Sequence, residues 1–194
     1  QLQGSAGQPG CSSCDPEDEA SCSACAPGQY SDATSGGSCE MCAAGQYQGL
    51  AGQPNCLDCG AGSVTDSLGS EGATACSMCT SGQYSGESTA ACAACGAGSM
   101  TNTLSLAGAA TCEACAAGQY SPVSTVACSV CEAGSATDSL ASTGATTCTA
   151  CVAGQYSDAS TTACAECAAG QYQGSAAQSS CTACVAGSVT DAVS

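Results

Sequence analysis

The chain has 194 residues, a formal net charge of −16 and no Lys, Arg or His. Without basic residues it cannot form the phosphate-binding surface that nucleic-acid affinity requires, or the basic clusters that bind anionic membranes. No apolar run approaches the roughly 18 residues of a transmembrane helix, so we expect no membrane insertion of this segment. No nucleophile can be paired with a basic side chain, and the chain is therefore predicted not to be an enzyme.

The cysteine content indicates the class of protein. There are 22 cysteines, a density typical of disulfide scaffolds, which persist only where thiols are oxidised. We therefore predict an extracellular or cell-surface location. Leu and Val together number 15, and Ile and Phe are absent, so burial of apolar side chains cannot offset the entropy lost when the chain is ordered. Covalent closure of loops must supply the difference.

In chain order, the cysteines form eleven C-x-x-C pairs. From Cys76 onward the first cysteines of successive pairs are 16, 20, 16, 20, 16 and 17 residues apart, so two repeats alternate within a 36-residue double unit. Residues 25–184 are predicted to be these tandem repeats. Residues 1–10 are interpreted as the end of an incomplete repeat, 11–25 as an atypical acidic short module, and 185–194 as the start of an incomplete repeat.

Ten pairs are followed by a glycine at one fixed offset, C-x-x-G, which predicts a backbone position with positive φ or the close approach of another segment. In one kind of repeat the glycine opens G-Q-Y and accounts for all six tyrosines. In the other it opens G-S-[VMA]-T-[DN]-[ST]-L, at residues 62–68, 98–104 and 134–140. Each repeat thus has one larger apolar residue, Tyr or Leu, which we expect to lie against its disulfides.

No helical period of apolar residues is present, and the abundant Gly, Ser, Thr and Ala favour turns and short extended segments. The predicted fold is a small disulfide-rich tandem repeat. We expect an elongated rod of short β-hairpins and turns, with little or no helix and no conventional hydrophobic core.

Cysteine and carboxylate groups also suggest metal or redox chemistry. Paired C-x-x-C motifs bind Zn²⁺ as thiolates, but the odd number of pairs and the absence of His favour disulfides. Thioredoxin-type catalysis needs a single pair at a helix N-terminus rather than eleven copies. Asp66, Asn102, Asp138 and Asp191 recur at one position of the long repeat, where an Asx-turn is favoured over a row of Ca²⁺ ligands. The acidic residues 15–19 are interpreted as a solvated loop. We expect no cofactor.

The remaining candidate sites are aromatic and hydroxyl groups. The tyrosines are expected to pack on adjacent disulfides, with a stacking face for glycans or a Pro-rich extended chain as the alternative. Ser and Thr are grouped in loops, a composition typical of O-glycosylated stalks. The predicted O-glycan acceptors are Thr125, Thr146, Thr147, Thr161 and Thr162.

The recurring pattern C-x-x-G-Q-Y-S followed by C-x-x-C resembles the ephrin-receptor-like cysteine-rich repeat, and is similar to the first submodule of tumour-necrosis-factor-receptor cysteine-rich domains. The resemblance covers residues 22–194. It implies a ladder of bridges in which the second cysteine of each pair closes on the first cysteine of the next. The implied bridges are Cys14–Cys22, Cys25–Cys39, Cys42–Cys56, Cys59–Cys76, Cys79–Cys92, Cys95–Cys112, Cys115–Cys128, Cys131–Cys148, Cys151–Cys164 and Cys167–Cys181. Cys11 and Cys184 are left over, and each is expected to bond to another segment or subunit.

Long arrays of such repeats also resemble those of surface proteins of algae and protists, including the shaft proteins of flagellar hairs (mastigonemes). The resemblance implies a structural extracellular protein that associates with itself into a fibre or flagellar-hair-like appendage. The alternative is a ligand-binding or adhesive ectodomain of the receptor type, with its specificity in the atypical module of residues 11–25.

Overall fold

The structure is a computed structural model, and it describes residues 24–32 and 38–189. The chain divides into two compact units. The first unit is Gln1–Ala93 with Ala107–Thr111, and the second is Ala94–Leu106 with Cys112–Ser194. The predicted module at residues 11–25, except for its last two residues, lies outside the described residues, and so does its interpretation as a solvated acidic loop.

The regular structure of both units consists of strands of two or three residues, and the described residues contain no helix. In the first unit the strands are β1 (Gln29–Tyr30), β2 (Glu40–Met41), β3 (Gln46–Tyr47), β4 (Leu57–Asp58), β5 (Ser63–Thr65), β6 (Cys76–Met78) and β7 (Gln83–Tyr84). The strand β8 (Ala93–Ala94) lies where the two units join in sequence.

The second unit continues the same pattern. Its strands are β9 (Ser99–Thr101), β10 (Cys112–Ala114), β11 (Gln119–Tyr120), β12 (Ser129–Val130), β13 (Ser135–Thr137), β14 (Cys148–Ala150), β15 (Gln155–Tyr156), β16 (Ala165–Glu166), β17 (Gln171–Tyr172) and β18 (Thr182–Ala183).

Each hairpin has a G-Q-Y or G-S-x-T strand as its first arm and a strand from the next C-x-x-C pair as its second arm. The pairing is antiparallel: Gln119 lies opposite Val130, and Ser135 lies opposite Ala150. Strands this short form a marginal sheet on their own. The predicted fold class, a disulfide-rich tandem repeat of short hairpins without helix, is confirmed.

Small residues form the interior of both units. The buried apolar side chains are all cysteine or alanine: Cys25, Cys42, Cys59, Ala73, Cys79, Cys95, Ala109, Cys115, Cys131, Ala145 and Cys151. The largest fully buried side chains are threonines: Thr65, Thr101 and Thr137. The tyrosines are half-buried, except for Tyr172, which is 52% exposed. The interior therefore depends on bridges and hydrogen bonds more than on apolar burial.

The glycine of the C-x-x-G motif adopts the left-handed conformation in every described repeat, which confirms that prediction. The φ angles lie between 78° and 88° at Gly28, Gly45, Gly62, Gly82, Gly98, Gly118, Gly134, Gly154, Gly170 and Gly187. A side chain at this position would be strained, because only glycine adopts such φ values readily.

The sequence did not predict the strained backbone at the leucines of the long repeats. Leu68, Leu104 and Leu140 have φ of 50°, 53° and 51°, which is uncommon for a residue with a side chain. Leu68 and Leu140 are each 38% exposed, so leucine supplies less burial than expected. In the described part of the chain no helix has the length and apolarity of a membrane span.

Candidate functional site

Nine disulfide bonds join the described cysteines into a ladder, with Cα–Cα distances of 5.5 to 5.7 Å. They are Cys25–Cys39, Cys42–Cys56, Cys59–Cys76, Cys79–Cys92, Cys95–Cys112, Cys115–Cys128, Cys131–Cys148, Cys151–Cys164 and Cys167–Cys181. These are the pairs that the resemblance implies. Cys11, Cys14 and Cys22 lie outside the described residues. Cys184 is a free, half-buried thiol.

The bridges define two kinds of loop. We call the loops whose bonded cysteines are separated by 13 or 14 positions in sequence short repeats, and those with a separation of 17 long repeats. The short repeats are 25–39, 42–56, 79–92, 115–128, 151–164 and 167–181. The long repeats are 59–76, 95–112 and 131–148.

Each long repeat is joined to the short repeat before it by two main-chain hydrogen bonds, which we call the clasp. In the second unit, the Gly144 N–H donates to the Cys115 carbonyl (2.8 Å), and the Ser121 N–H donates to the Ala145 carbonyl (3.0 Å). A parallel β-bridge between Tyr120 and Ala145 accompanies these bonds. Because Ala145 is only 1% exposed, the clasp satisfies main-chain groups that would otherwise be buried without partners.

The first unit repeats the clasp with the same geometry. The Gly72 N–H donates to the Cys42 carbonyl (2.8 Å), and the Gly108 N–H donates to the Cys79 carbonyl (2.8 Å). The second bond of each clasp is accepted by the Ala73 carbonyl in the first case and by the Ala109 carbonyl in the second. The joint is therefore made by backbone groups and recurs wherever a long repeat follows a short one in either unit.

Repeats two positions apart are also in contact. A Cβ atom on Gly98 would overlap the main-chain carbonyl of Gly144, and one on Gly62 would overlap that of Gly108. Between short repeats the neighbour is a side chain: a Cβ on Gly118 would lie 2.9 Å from the Ser160 Oγ. At Gly62, Gly98 and Gly118 glycine is thus required both by its φ and by the close approach of another repeat, whereas at Gly154 only the φ requires it.

Polar side chains close the loops. In short repeats the serine after Tyr does this: Ser157 is 2% exposed, and its hydroxyl donates to the carbonyls of Ala159 (2.8 Å) and Thr162 (3.0 Å). In long repeats the threonine of G-S-x-T takes this position. The Thr137 hydroxyl donates to the Leu140 carbonyl at 3.2 Å, which holds the strained leucine in place.

The carboxylates of the long repeats bind across the loop. Asp66 accepts hydrogen bonds from the hydroxyl (2.5 Å) and the N–H (2.9 Å) of Thr74, and Asp138 does the same with Thr146. The bond from the threonine hydroxyl, with smaller main-chain contributions, holds the pKa of Asp66 and of Asp138 below its ordinary value. At Asp66 and Asp138 the predicted Asx-turn is corrected, since the principal partner, Thr74 or Thr146, lies eight residues further on.

Metal and cation sites gain no support from this geometry. In the ranges that the structure describes, no three Cys, Asp or Glu side chains are grouped so that they could hold a metal ion. Asp191 and the acidic residues 15–19 lie outside those ranges. Elsewhere, the Tyr30 hydroxyl donates to the Glu40 carboxylate (3.0 Å), and this bond to an anion raises the pKa of Tyr30.

The predicted O-glycan acceptors differ in accessibility. Thr147 and Thr162 are exposed, whereas Thr125, Thr146 and Thr161 are half-buried. The hydroxyl of Thr146 is engaged by Asp138, and that of Thr162 donates to the Ala159 carbonyl (2.8 Å).

Comparison with known proteins relates two regions of the chain to one family. Residues 28–76 and 154–194 match the family model described as "Tyrosine-protein kinase ephrin type A/B receptor-like". These two regions therefore carry ephrin-receptor-like cysteine-rich repeats. No curated protein matches the chain. The matched repeats and their disulfides indicate an extracellular disulfide-rich domain.

Proposed function

We propose that this chain is a structural extracellular protein, a disulfide-laddered rod that associates with further copies into a fibre or flagellar-hair-like appendage. The observation that carries the proposal is the clasp, which recurs with the same main-chain donors and acceptors at Gly72, Gly108 and Gly144. A joint that needs no particular side chain can be extended indefinitely, as in other solenoid arrays. Uniform repeats without a distinct site among the residues that the structure describes fit a scaffold better than a receptor for one ligand.

The charge of the chain sets a condition on side-by-side association. All 16 charged groups are carboxylates, so copies repel one another unless salt screens them. The screening length falls from about 30 Å at 0.01 M salt to about 8 Å at 0.15 M. Lateral association should therefore increase over this range.

Electron microscopy and sedimentation velocity of the purified protein test the proposal across that salt range. We expect fibres that lengthen or bundle as salt is raised. A matched control is the fully reduced and alkylated protein, which has the same charge but no ladder and should form no regular fibre. Monomers under every condition would contradict the proposal.

O-glycosylation is part of the same proposal, because sugars would keep a small-residue surface hydrated. Among the predicted acceptors, Thr147 is exposed and adjoins the loop that Asp138 closes. Mass spectrometry of native material should find a hexose or related sugar at Thr147. The change Thr147→Ala should remove that mass, whereas Thr137→Ala should not, because Thr137 is buried.

The alternative function is a ligand-binding or adhesive ectodomain, for which the receptor-like family description is the supporting observation. Its specificity would reside in residues 11–25. Deletion of residues 11–24, which keeps Cys25 for its bond with Cys39, should then abolish binding to cells or to a glycan array. Unchanged binding after the deletion would contradict this alternative.

A further inference from the structure

Two short repeats differ from the others by one residue. After G-Q-Y, the repeats 42–56 and 167–181 have Gln48 and Gln173 where the other short repeats have serine. We call them Gln repeats, and the other short repeats Ser repeats. Elsewhere in the ladder Ser repeats and long repeats alternate, but each Gln repeat directly follows a Ser repeat. These are the positions at which two short repeats are adjacent.

The Gln repeat of the first unit makes a clasp on the Ser repeat before it. The Gly52 N–H donates to the Cys25 carbonyl (2.9 Å), and the Ser31 N–H donates to the Gln53 carbonyl (3.2 Å). These are the two bonds that a long repeat makes through Gly144 and Ala145. The shorter loop of the Gln repeat therefore makes the same contact as the loop of a long repeat.

The second unit shows the same arrangement independently. The Ala177 N–H donates to the Cys151 carbonyl (2.8 Å), and the Ser157 N–H donates to the Gln178 carbonyl (3.2 Å). Gly52 and Ala177 both have positive φ, 69° and 59°, as do the clasp glycines of the long repeats. The backbone conformation is therefore kept even where the residue is alanine.

The glutamine side chain spans the loop that presents this clasp. Gln48 is 5% exposed; its amide Nε2 donates to the Asn55 carbonyl (2.8 Å), and its Oε1 accepts from the Leu50 N–H (3.1 Å). Gln173 repeats both bonds, to the Ser180 carbonyl (2.9 Å) and from the Ser175 N–H (3.3 Å). Serine is too short to span these positions, and in Ser repeats it bonds to nearer carbonyls.

Towards the repeat that follows, a Gln repeat behaves as a Ser repeat does. Cys42 and Gln48 form the clasp with the next long repeat: the Gly72 N–H donates to the Cys42 carbonyl, and the Gln48 N–H donates to the Ala73 carbonyl (3.0 Å). The Gln repeat therefore combines the clasp loop of a long repeat with the groups by which a short repeat binds such a loop.

We propose that the Gln repeats are adaptor modules, in which the side-chain amide of Gln48 or Gln173 folds a short loop into a clasp and shifts the alternation of short and long repeats by one position. Contacts between repeats two apart reflect this shift. In the second unit, the long repeats 95–112 and 131–148 contact each other at Gly98 and Gly144. The next such contact is made by the Gln repeat instead of a long repeat, and it joins Gly134 to Ala177. In the first unit, a Ser repeat instead contacts a long repeat.

The shift changes the surface that a second copy meets. Along an alternating stretch, the long repeats occupy every second position. After an adaptor they occupy the positions that short repeats would otherwise take. In a fibre, which rests on the proposed function, side-by-side contacts would therefore change at each Gln repeat. The adaptor role itself does not require a fibre.

Hydrogen exchange on the full chain tests the adaptor role, using Gln48→Ser with Gln46→Ser as the matched control. The side-chain amide of Gln46 donates to the exposed Asp58 carboxylate (2.8 Å) and does not span the clasp loop. In Gln48→Ser we expect protection of the Gly52 N–H to fall about tenfold or more, while that of the Gly108 N–H stays unchanged. Unchanged protection at Gly52, or an equal loss in the control, would overturn the proposal.

A deletion gives a second readout that does not depend on the point variant. Removing residues 43–59 takes out the adaptor and joins Cys42 to Gly60, which restores simple alternation. We expect Cys42 to bond with Cys76, and the Gly72 N–H to be as protected as before, now by the Cys25 carbonyl. Failure to fold, or an unprotected Gly72, would count against the proposal. Neither experiment reports on fibre formation, so loss of the fibre and loss of the adaptor are distinguishable.

Discussion

Short and long repeats close their loops with different polar groups, yet they take part in the same joint. In the short repeat 151–164 the Ser157 hydroxyl bonds to two carbonyls of its own loop. In the long repeat 131–148 the Thr137 hydroxyl bonds to Leu140, and Asp138 bonds to Thr146. The joint between such repeats is nevertheless made by main-chain groups. Bridges and polar side chains thus shape each loop, whereas main-chain hydrogen bonds, with some side-chain bonds such as that from the Thr137 hydroxyl to the Ser160 carbonyl, join the repeats.

The largest effect should come from the bridges, and it should be nearly the same for both kinds of repeat. Replacing Cys131 and Cys148 by Ala, or Cys115 and Cys128 by Ala, should each cost about 3 kcal/mol of unfolding free energy. Loop entropy predicts a difference of only about 0.2 kcal/mol between separations of 17 and 13. Urea unfolding without reductant measures both. A difference above about 1 kcal/mol would mean that one kind of repeat depends on its bridge in another way.

The next effect separates backbone strain from crowding by three glycine-to-alanine changes. Gly98 has positive φ and faces the Gly144 carbonyl, Gly154 has positive φ but open space, and Gly96 has open space without positive φ. We expect losses of about 3 kcal/mol for Gly98→Ala and about 1 kcal/mol for Gly154→Ala. Gly96→Ala should be neutral or stabilise by up to about 1 kcal/mol. Thermal unfolding gives the order, and any other order would contradict the proposed origin of the glycine requirement.

The glycines and cysteines are also the residues from which sequence alone predicts the fold. A glycine at a fixed offset indicates a conformation that other residues avoid, and the structure has positive φ at all ten. The clasp could not be predicted, because its donors and acceptors are main-chain groups. Its fully buried Ala73, Ala109 and Ala145 carry no distinctive signal in an alanine-rich chain.

The larger apolar residues were the least reliable guide to packing. Leucine was expected to cover the disulfides, but Leu68 and Leu140 are 38% exposed on strained backbone. Threonine occupies the buried position instead, because its hydroxyl donates hydrogen bonds to buried carbonyls, which a leucine side chain cannot do. The partner of Asp66 was missed for a similar reason: Thr74 lies eight residues away, and nothing in the local sequence marks it.

A smaller loss of unfolding free energy is expected when a buried hydroxyl that closes a loop is removed. The location of this loss separates the role of the loops from that of the clasp. Thr137→Val and Ser157→Ala each remove a buried hydroxyl that serves two carbonyls, and each should lower the unfolding free energy by about 1 to 2 kcal/mol. The exposed Thr149→Val should change it by no more than about 0.5 kcal/mol. Hydrogen exchange should localise the loss in Ser157→Ala to its own loop, and the loss in Thr137→Val to its own loop and the junction with the repeat 151–164. A loss of protection at the Gly144 N–H in Ser157→Ala would show that loops and joint are coupled.

The smallest effect is a titration confined to two of the three long repeats. Asp66 and Asp138 have a pKa below the ordinary value because of their bonds to Thr74 and Thr146, whereas the corresponding Asn102 does not titrate. A lowered pKa in the folded state stabilises the loop above the unfolded value of about 3.9, and this stabilisation is lost as pH falls through the folded pKa. Both carboxylates lie at the surface, so solvent screens the effect.

Amide chemical shifts measured between about pH 6 and pH 2 test this titration. The N–H signals of Thr74 and Thr146 should move with midpoints below about 3.9, while that of Ala110, at the same position in the Asn102 repeat, should not follow such a curve. Asp138→Asn should abolish the movement at Thr146 and leave Thr74 unchanged. Midpoints at or above the unfolded value would mean that the threonine bonds do not favour the charged carboxylates. The long loops would then be closed by Thr65 and Thr137 alone, and the difference between the two kinds of repeat would be reduced to one hydroxyl.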